Sequence, residues 1–165
     1  MKKIILAACF IAGFSVANRL SAQEYKTALG IRLSSAPAIQ NNSITFKQFI
    51  NQKTAVEGLL SFGDPLSIGA LVEFNQPFST PGLQWFYGAG GYLGFGKELN
   101  VAKQIEERKT YFGGQGVVGL DYKFANIPIN ISLDWKPELN LVSDINFEPG
   151  AIGFSARFTF GKNGQ

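Results

Sequence analysis

Apolar and polar positions alternate with a period of two over much of the chain between residues 26 and 160. The pattern is cleanest near the end, where Ile152, Phe154, Ala156, Phe158 and Phe160 alternate with Gly153, Ser155, Arg157 and Thr159. Residues 129–136 set Ile129, Ile131, Leu133 and Trp135 against Asn130, Ser132, Asp134 and Lys136, and residues 66–75 set Leu66, Ile68, Ala70, Val72 and Phe74 against Ser67, Gly69, Leu71, Glu73 and Asn75. Successive side chains of a strand point to opposite faces, so each stretch predicts a strand with one apolar face. Segments 26–34, 43–49, 53–62, 84–96 and 110–124 fit strands with less regular patterns, which brings the total to eight. The glycine-rich stretches 86–96 and 111–120 make the weakest apolar surfaces, because Gly91, Gly114 and Gly116 fall on the apolar face; close packing or local bending accounts for such glycines.

The first residues follow another rule. Lys2 and Lys3 precede an apolar run from Ile4 to Val16, too short to span a bilayer as a helix, which predicts a cleaved signal peptide. Cleavage after Ala17 has Ser15 and Ala17 as its small pair; cleavage after Ala22 has Ser21 and Ala22, and gives a leader of residues 1–22 and a domain of residues 23–165. Leu6-Ala7-Ala8-Cys9 has the look of a lipobox, but a cut before Cys9 leaves too little apolar core, so Cys9 is read as lost with the leader. The mature chain then has no cysteine, and an exported protein without disulfides must close its structure by other means.

Charge changes the picture once it is located. Lys2, Lys3 and Arg19 belong to the leader, so the 15 basic residues of the whole chain fall to 12 in the mature protein, against 12 acidic. A neutral protein gives nucleic acid no electrostatic foothold, and none is expected as a partner. The 13% of aromatic residues, 19 glycines, single methionine and absence of histidine suit many strands, tight turns and aromatic girdles. No stretch beyond the leader reaches 18 consecutive apolar residues, so a transmembrane helix is not expected.

A soluble barrel hides its apolar face and a membrane barrel shows it, so alternation alone does not separate them. The polar face does. It carries Arg32, Lys47, Glu57, Glu73, Asp121, Lys123, Asp134, Lys136 and Arg157, one or two charges per strand, balanced in sign and mixed with Gly, Ser, Thr and Asn. Soluble surfaces carry more charge than that, so a narrow polar lumen is the better match. Aromatic residues such as Trp85, Tyr87, Trp135, Phe158 and Phe160 stand near strand ends, where interfacial girdles form. The fold expected is all-β, an eight-stranded antiparallel up-and-down transmembrane β-barrel. With the N-terminus in the periplasm, the outer loops are 35–42, 63–65, 97–109 and 137–150, and the inner turns 50–52, 76–83 and 125–127. Longer outer loops are the rule for this class.

Here a resemblance enters. Ser43-Ile44-Thr45-Phe46-Lys47-Gln48-Phe49, Ala55-Val56-Glu57-Gly58, the run from Pro128 to Glu138 with its Asp134-Trp135-Lys136-Pro137-Glu138 core, and Arg157-Phe158-Thr159-Phe160 carry it. Across essentially the whole mature chain the sequence resembles the short outer-membrane β-barrel proteins of Bacteroidota, similar in architecture to the OmpA transmembrane domain and OmpX. The resemblance implies an outer-membrane location, surroundings of membrane lipid and lipopolysaccharide, the barrel-assembly machinery as a partner during biogenesis, and a monomer. It also implies that the terminal aromatics Phe158 and Phe160 form the insertion signal, although Gly161 to Gln165 follow them here.

Chemistry-bearing motifs are few. Gly114-Gln115-Gly116-Val117-Val118-Gly119 spells a dinucleotide fingerprint, but Leu120 to Phe124 continue as a strand where that motif needs a helix N-terminus, and no cofactor is expected. Enzymatic barrels of this size, the lipid A acyltransferases and deacylases, use a histidine with a serine; this chain has no histidine, and the mature chain lacks both common transition-metal ligands. Glu57 and Glu73 on neighbouring strands form a conceivable acid–base pair; a buried ion-pair network with Arg32 and Arg157 is the plainer reading. In the charged segment 97–109, Leu99, Ala102, Ile105 and Glu106 follow helical spacing and predict a short amphipathic turn, a docking surface or simply a solvated loop. Glu138, Asp144 and Glu148 in the fourth loop read the same way, as acids that would gather a divalent cation on lipopolysaccharide or simply as a solvated loop. Three functions fit: a non-enzymatic outer-membrane protein acting through its outer loops, a narrow passive channel, or a soluble periplasmic lipocalin-like binder.

Overall fold

The computed structural model describes residues 25–36, 38–100, 105–142 and 145–161. The expected leader with Cys9, residues 101–104, Asp144 and residues 162–165 lie outside the described residues. The strands, in chain order, are β1 (Thr27–Ser34), β2 (Ser43–Phe49), β3 (Thr54–Ser61), β4 (Leu66–Pro77), β5 (Leu83–Asn100), β6 (Ile105–Lys123), β7 (Ile129–Trp135), β8 (Glu138–Asn140), β9 (Asn146–Glu148) and β10 (Ile152–Phe160). All pairings are antiparallel, each of β1 to β6 pairs with the next, and β10 joins β1 to β7 to close the sheet.

Ten strands make eight staves. β7 and β8 meet β6 in one continuous register, Trp135 opposite Val118 and Glu138 opposite Gln115. Pro137 separates them because it has no N–H to give the ladder, although its carbonyl still accepts the Gly116 N–H at 3.0 Å. Facing them, Ile152 lies opposite Trp135 but Glu148 opposite Glu138, so residues 149–151 span what two residues span on the partner. This β-bulge splits the last stave into β9 and β10. The result is a closed, eight-stranded, antiparallel up-and-down barrel.

Burial follows the alternation. On β4, Leu66, Ile68, Ala70, Val72 and Phe74 are exposed, while Ser67, Gly69, Leu71, Glu73 and Asn75 are buried. The exposed apolar surface continues through Leu29, Ile31 and Leu33 on β1 and Phe154, Phe158 and Phe160 on β10. Toward the end with the short turns it thickens into aromatic pairs, Phe74 with Tyr87, Trp85 with Tyr87, and Phe158 with Phe160, at centroid distances of 5.0–5.6 Å. Toward the other end Phe62, Phe95, Phe112 and Trp135 form a second exposed belt. Gly91, Gly114 and Gly116 lie on this outer face as the alternation requires, whereas Gly90 faces in, so close to β4 that a Cβ there would overlap the Ala70 carbonyl oxygen. Such a bend is what a glycine permits at a barrel corner.

Two expected loops contain strands. β5 and β6 stay paired up to Asn100 opposite Ile105, so the described part of segment 97–109 extends a hairpin and does not form a helical turn. A ladder beyond the apolar band needs no apolar face, since both of its sides meet water; Lys97 Nζ and Glu106 Oε2 pair there at 2.8 Å, both well exposed. Segment 137–150 likewise contains β8 and β9.

Candidate functional site

The barrel encloses a polar core. Arg157 is its most connected member: Nη2 donates to Glu57 Oε1 at 2.5 Å, Nη1 to Ser132 Oγ at 2.8 Å and Asn130 Oδ1 at 3.3 Å, and Nε to Thr45 Oγ1 at 3.3 Å. Asn130 in turn donates to Asp121. The fully buried Lys47 ammonium sits 2.8 Å from Glu73 Oε2, outside hydrogen-bonding angles, donates to Asp121 Oδ2 at 3.4 Å and Asn75 Oδ1 at 3.3 Å, and lies 4.6 Å from the Phe86 ring centroid. A single network therefore runs from Glu73 through Lys47, Asp121, Asn130 and Arg157 to Glu57. Arg32 makes a separate fork onto Asp134, with Nη2 to Oδ1 at 2.6 Å and Nε to both oxygens at 3.2 Å.

Eight of the nine charges expected on the polar face lie inside, and Lys123 does not. Its strand ends at the short turn, and its Nζ reaches out to the carbonyls of Phe124 and, at 3.0 Å, Ile127. A long ammonium side chain at a strand end reaches polar partners more cheaply than it enters a dry interior. Arg32 meets Asp134 and neither glutamate, because the closing staves bring β1 beside β10 and leave it within reach of β7. Glu138, expected as a loop acid, is buried: Lys136 Nζ donates to its Oε1 at 2.6 Å, and the Gln40 N–H points at both of its oxygens at 3.3 Å. Among the described residues the interior thus holds four cations (Arg32, Lys47, Lys136, Arg157) and five acids (Glu57, Glu73, Asp121, Asp134, Glu138). Glu57 and Glu73 interact with one another, but each also faces a cation and both are buried, so neither carboxyl is presented to a substrate as an acid–base pair would require.

Apolar side chains interrupt the polar core. Leu59, Leu71, Phe86 and Val117 form one buried cluster. At the short-turn mouth Tyr25 packs edge-on against Phe49, rings 5.4 Å apart, with Ala28 and Ala55 around them. At the opposite mouth the first long loop turns inward: Ala38 and Gln40 are buried, the Gln40 carbonyl accepts Lys136 Nζ at 3.4 Å, and the Ile39 carbonyl accepts Ser67 Oγ at 2.9 Å. Nothing in the sequence of 35–42 announces this, since an apolar-polar pattern reports faces of strands and not the path of a loop.

The crystal structure of the N-terminal β-barrel domain of Pseudomonas aeruginosa OprF is similar to the chain, with a TM-score of 0.58 and 10% identity over 84% of this chain and 98% of that one. The chain has the fold of an outer-membrane β-barrel. No protein-family model matches it, and no curated protein does. At that level of identity the likeness concerns the fold alone. The burial pattern adds the chemistry, for a lipocalin-like soluble barrel needs the reverse distribution, apolar within and polar without.

Proposed function

We propose that the protein is a non-enzymatic integral outer-membrane β-barrel, of the short type that its sequence resembles in Bacteroidota, with a structural or surface-interaction role carried by its long-loop end. The observation that carries this reading is the inverted burial, ion pairs inside and a continuous apolar band outside. Such a surface is at home against lipid, where a closed barrel satisfies every backbone group internally. The leader expected at residues 1–22 supports export, and the terminal pair Phe158 and Phe160 supports recognition by the assembly machinery. Lipid and lipopolysaccharide are the surroundings proposed, and a monomer suffices because closure leaves no free sheet edge.

The test is fractionation of cells that express the full sequence. The protein should stay with membranes through an alkaline carbonate wash, come out in detergent, and migrate differently on a gel before and after heating. Release by osmotic shock would overturn the reading. The passive-channel alternative is less favoured, since ion pairs cross the interior, Tyr25 packs on Phe49 at one mouth and the first long loop turns in at the other.

A further inference from the structure

At the long-loop end a half-open cleft of about 180 Å³ lies between the first long loop, the β5–β6 hairpin and the β8–β9 ribbon. Register builds its aromatic wall. On the inward face of the hairpin, Tyr92 stands opposite Gly113 and Tyr111 opposite Gly94. A Cβ at Gly113 would overlap the Tyr92 hydroxyl, and one at Gly94 would crowd Ile39 and touch the Tyr111 ring, so the two glycines leave the rings their places.

The polar wall is the β8–β9 ribbon, which pairs like with like, Glu138 opposite Glu148 and Asn140 opposite Asn146, all four lining the cleft. Like charges directly opposite are unfavourable in a ladder. Lys136 neutralises Glu138. Glu148 has no cation partner among the described residues; its Oε1 accepts the Gly150 N–H at 2.9 Å. Tyr92, buried to all but 3% of its surface, also lines the cleft, and its hydroxyl, buried over Gly113, has no hydrogen-bond partner among them.

We infer that this cleft binds one hexose-sized, hydroxyl-rich unit of a saccharide. Sugar hydroxyls both donate and accept, which a carboxylate beside side-chain amides and a phenol can match in both senses. The C–H face of a pyranose ring packs on an aromatic wall, and an enclosure with few placed polar groups is the usual form of a small-molecule site. A divalent cation fits less well: it asks for about six to eight oxygens, commonly with several carboxylates, and among the described residues no three acidic side chains converge. A saccharide also accounts for the two tyrosines, which a cation would leave unused. The sugar can belong to lipopolysaccharide of the same membrane or to a free glycan; the chemistry is shared. The inference deepens the surface-interaction reading, but binding itself needs no more than the folded barrel.

The experiment is saturation-transfer NMR on the mature protein folded in detergent, with two probes at millimolar concentration: lipid-free core oligosaccharide released from lipopolysaccharide, and maltotriose. Saturation should reach sugar protons, and Tyr111→Ala and Glu148→Gln should each weaken binding by about tenfold or more, while Lys97→Ala, outside the cleft, changes nothing. Heat-modifiable migration checks the fold of each variant, and Glu148→Gln reports alone if Tyr111→Ala does not fold. Binding of the core oligosaccharide alone assigns the source to the envelope, and binding of both extends it to free glycans. No binding of either probe, binding that survives both substitutions, or calcium titrating the cleft where neither sugar binds would overturn the inference. Because fractionation plays no part here, a failed sugar assay leaves the membrane reading standing.

Discussion

Arg157 holds four acceptors from three other staves, so it is where a single substitution should cost most. Arg157→Leu leaves the buried Glu57 carboxyl without its closest cation, and the loss of one partner of a buried pair costs about 3–5 kcal/mol. Urea unfolding of the folded protein in detergent measures it, and an unchanged midpoint would show that water reaches the lumen. Lys123→Ala is the matched control: its ammonium meets carbonyls at a turn edge, so the change should stay within about 0.5 kcal/mol. The two residues also show how far the alternation could be read. Parity placed both on the inner face, and for Arg157, in mid-strand, parity decides the environment. For Lys123, at a strand end, side-chain length decides it instead. Glu138 is the converse. Asn130, Ser132, Asp134, Lys136, Glu138 and Asn140 share one parity and are all buried. The pattern therefore continued through Pro137, but proline reads as a strand end, and the missing N–H interrupts the ladder without turning the chain out of register.

Strands were legible where one face had to be apolar, and illegible where it did not. β4, β7 and β10 cross the apolar band and alternate strictly. The upper halves of β5 and β6 rise out of that band, and with water on both sides Lys97, Glu106 and Arg108 carry no record of a face. The closing strand is the element most exposed to test. β10 is held by β1 on one side and β7 on the other, with Phe158 and Phe160 outward and their rings 5.0 Å apart. Phe160→Asp places a carboxylate in the aromatic belt at the short-turn end. Even near an interface an acid lacks what the ring supplies there, so folded, heat-modifiable protein should fall sharply in membranes. Full yield would show that insertion is signalled elsewhere. Hairpin lengths bear on orientation too. If the long hairpins face outward, a protease site inserted near Lys103 is cut on intact cells and one near Asn51 survives until the outer membrane is opened. The opposite result would invert the barrel.

Across the whole molecule, every obstacle to flow is a side chain or a loop that another group holds in place. Eight staves enclose a space that side chains can fill, and here they fill it in succession. Tyr25 and Phe49 cover the short-turn mouth, Lys47 and Arg157 organise the paired charges, and Leu59, Leu71, Phe86 and Val117 add an apolar constriction. At the far mouth the Gln40 backbone is clamped, its N–H donating to Glu138 and its carbonyl accepting from Lys136, and its side chain is buried beneath the loop. A wide pore keeps water against its charges; in this one each of the five acids lies beside a cation, Lys47 serving both Glu73 and Asp121, and an apolar constriction excludes water even where charge would admit it. Planar bilayers containing the wild-type protein should therefore show no steady ohmic conductance. Gln40→Ala removes the buried side chain that fills this single mouth and leaves the backbone clamp of the loop intact. If that loop were the sole gate, the variant would conduct. If the obstacles act in series, as their separate positions along the lumen imply, it stays silent. Steady conductance in the wild type would mean that the ion pairs are hydrated and the lumen continuous, and would put the channel reading first. Conductance in Gln40→Ala alone would make the inward loop a gate over an otherwise open barrel.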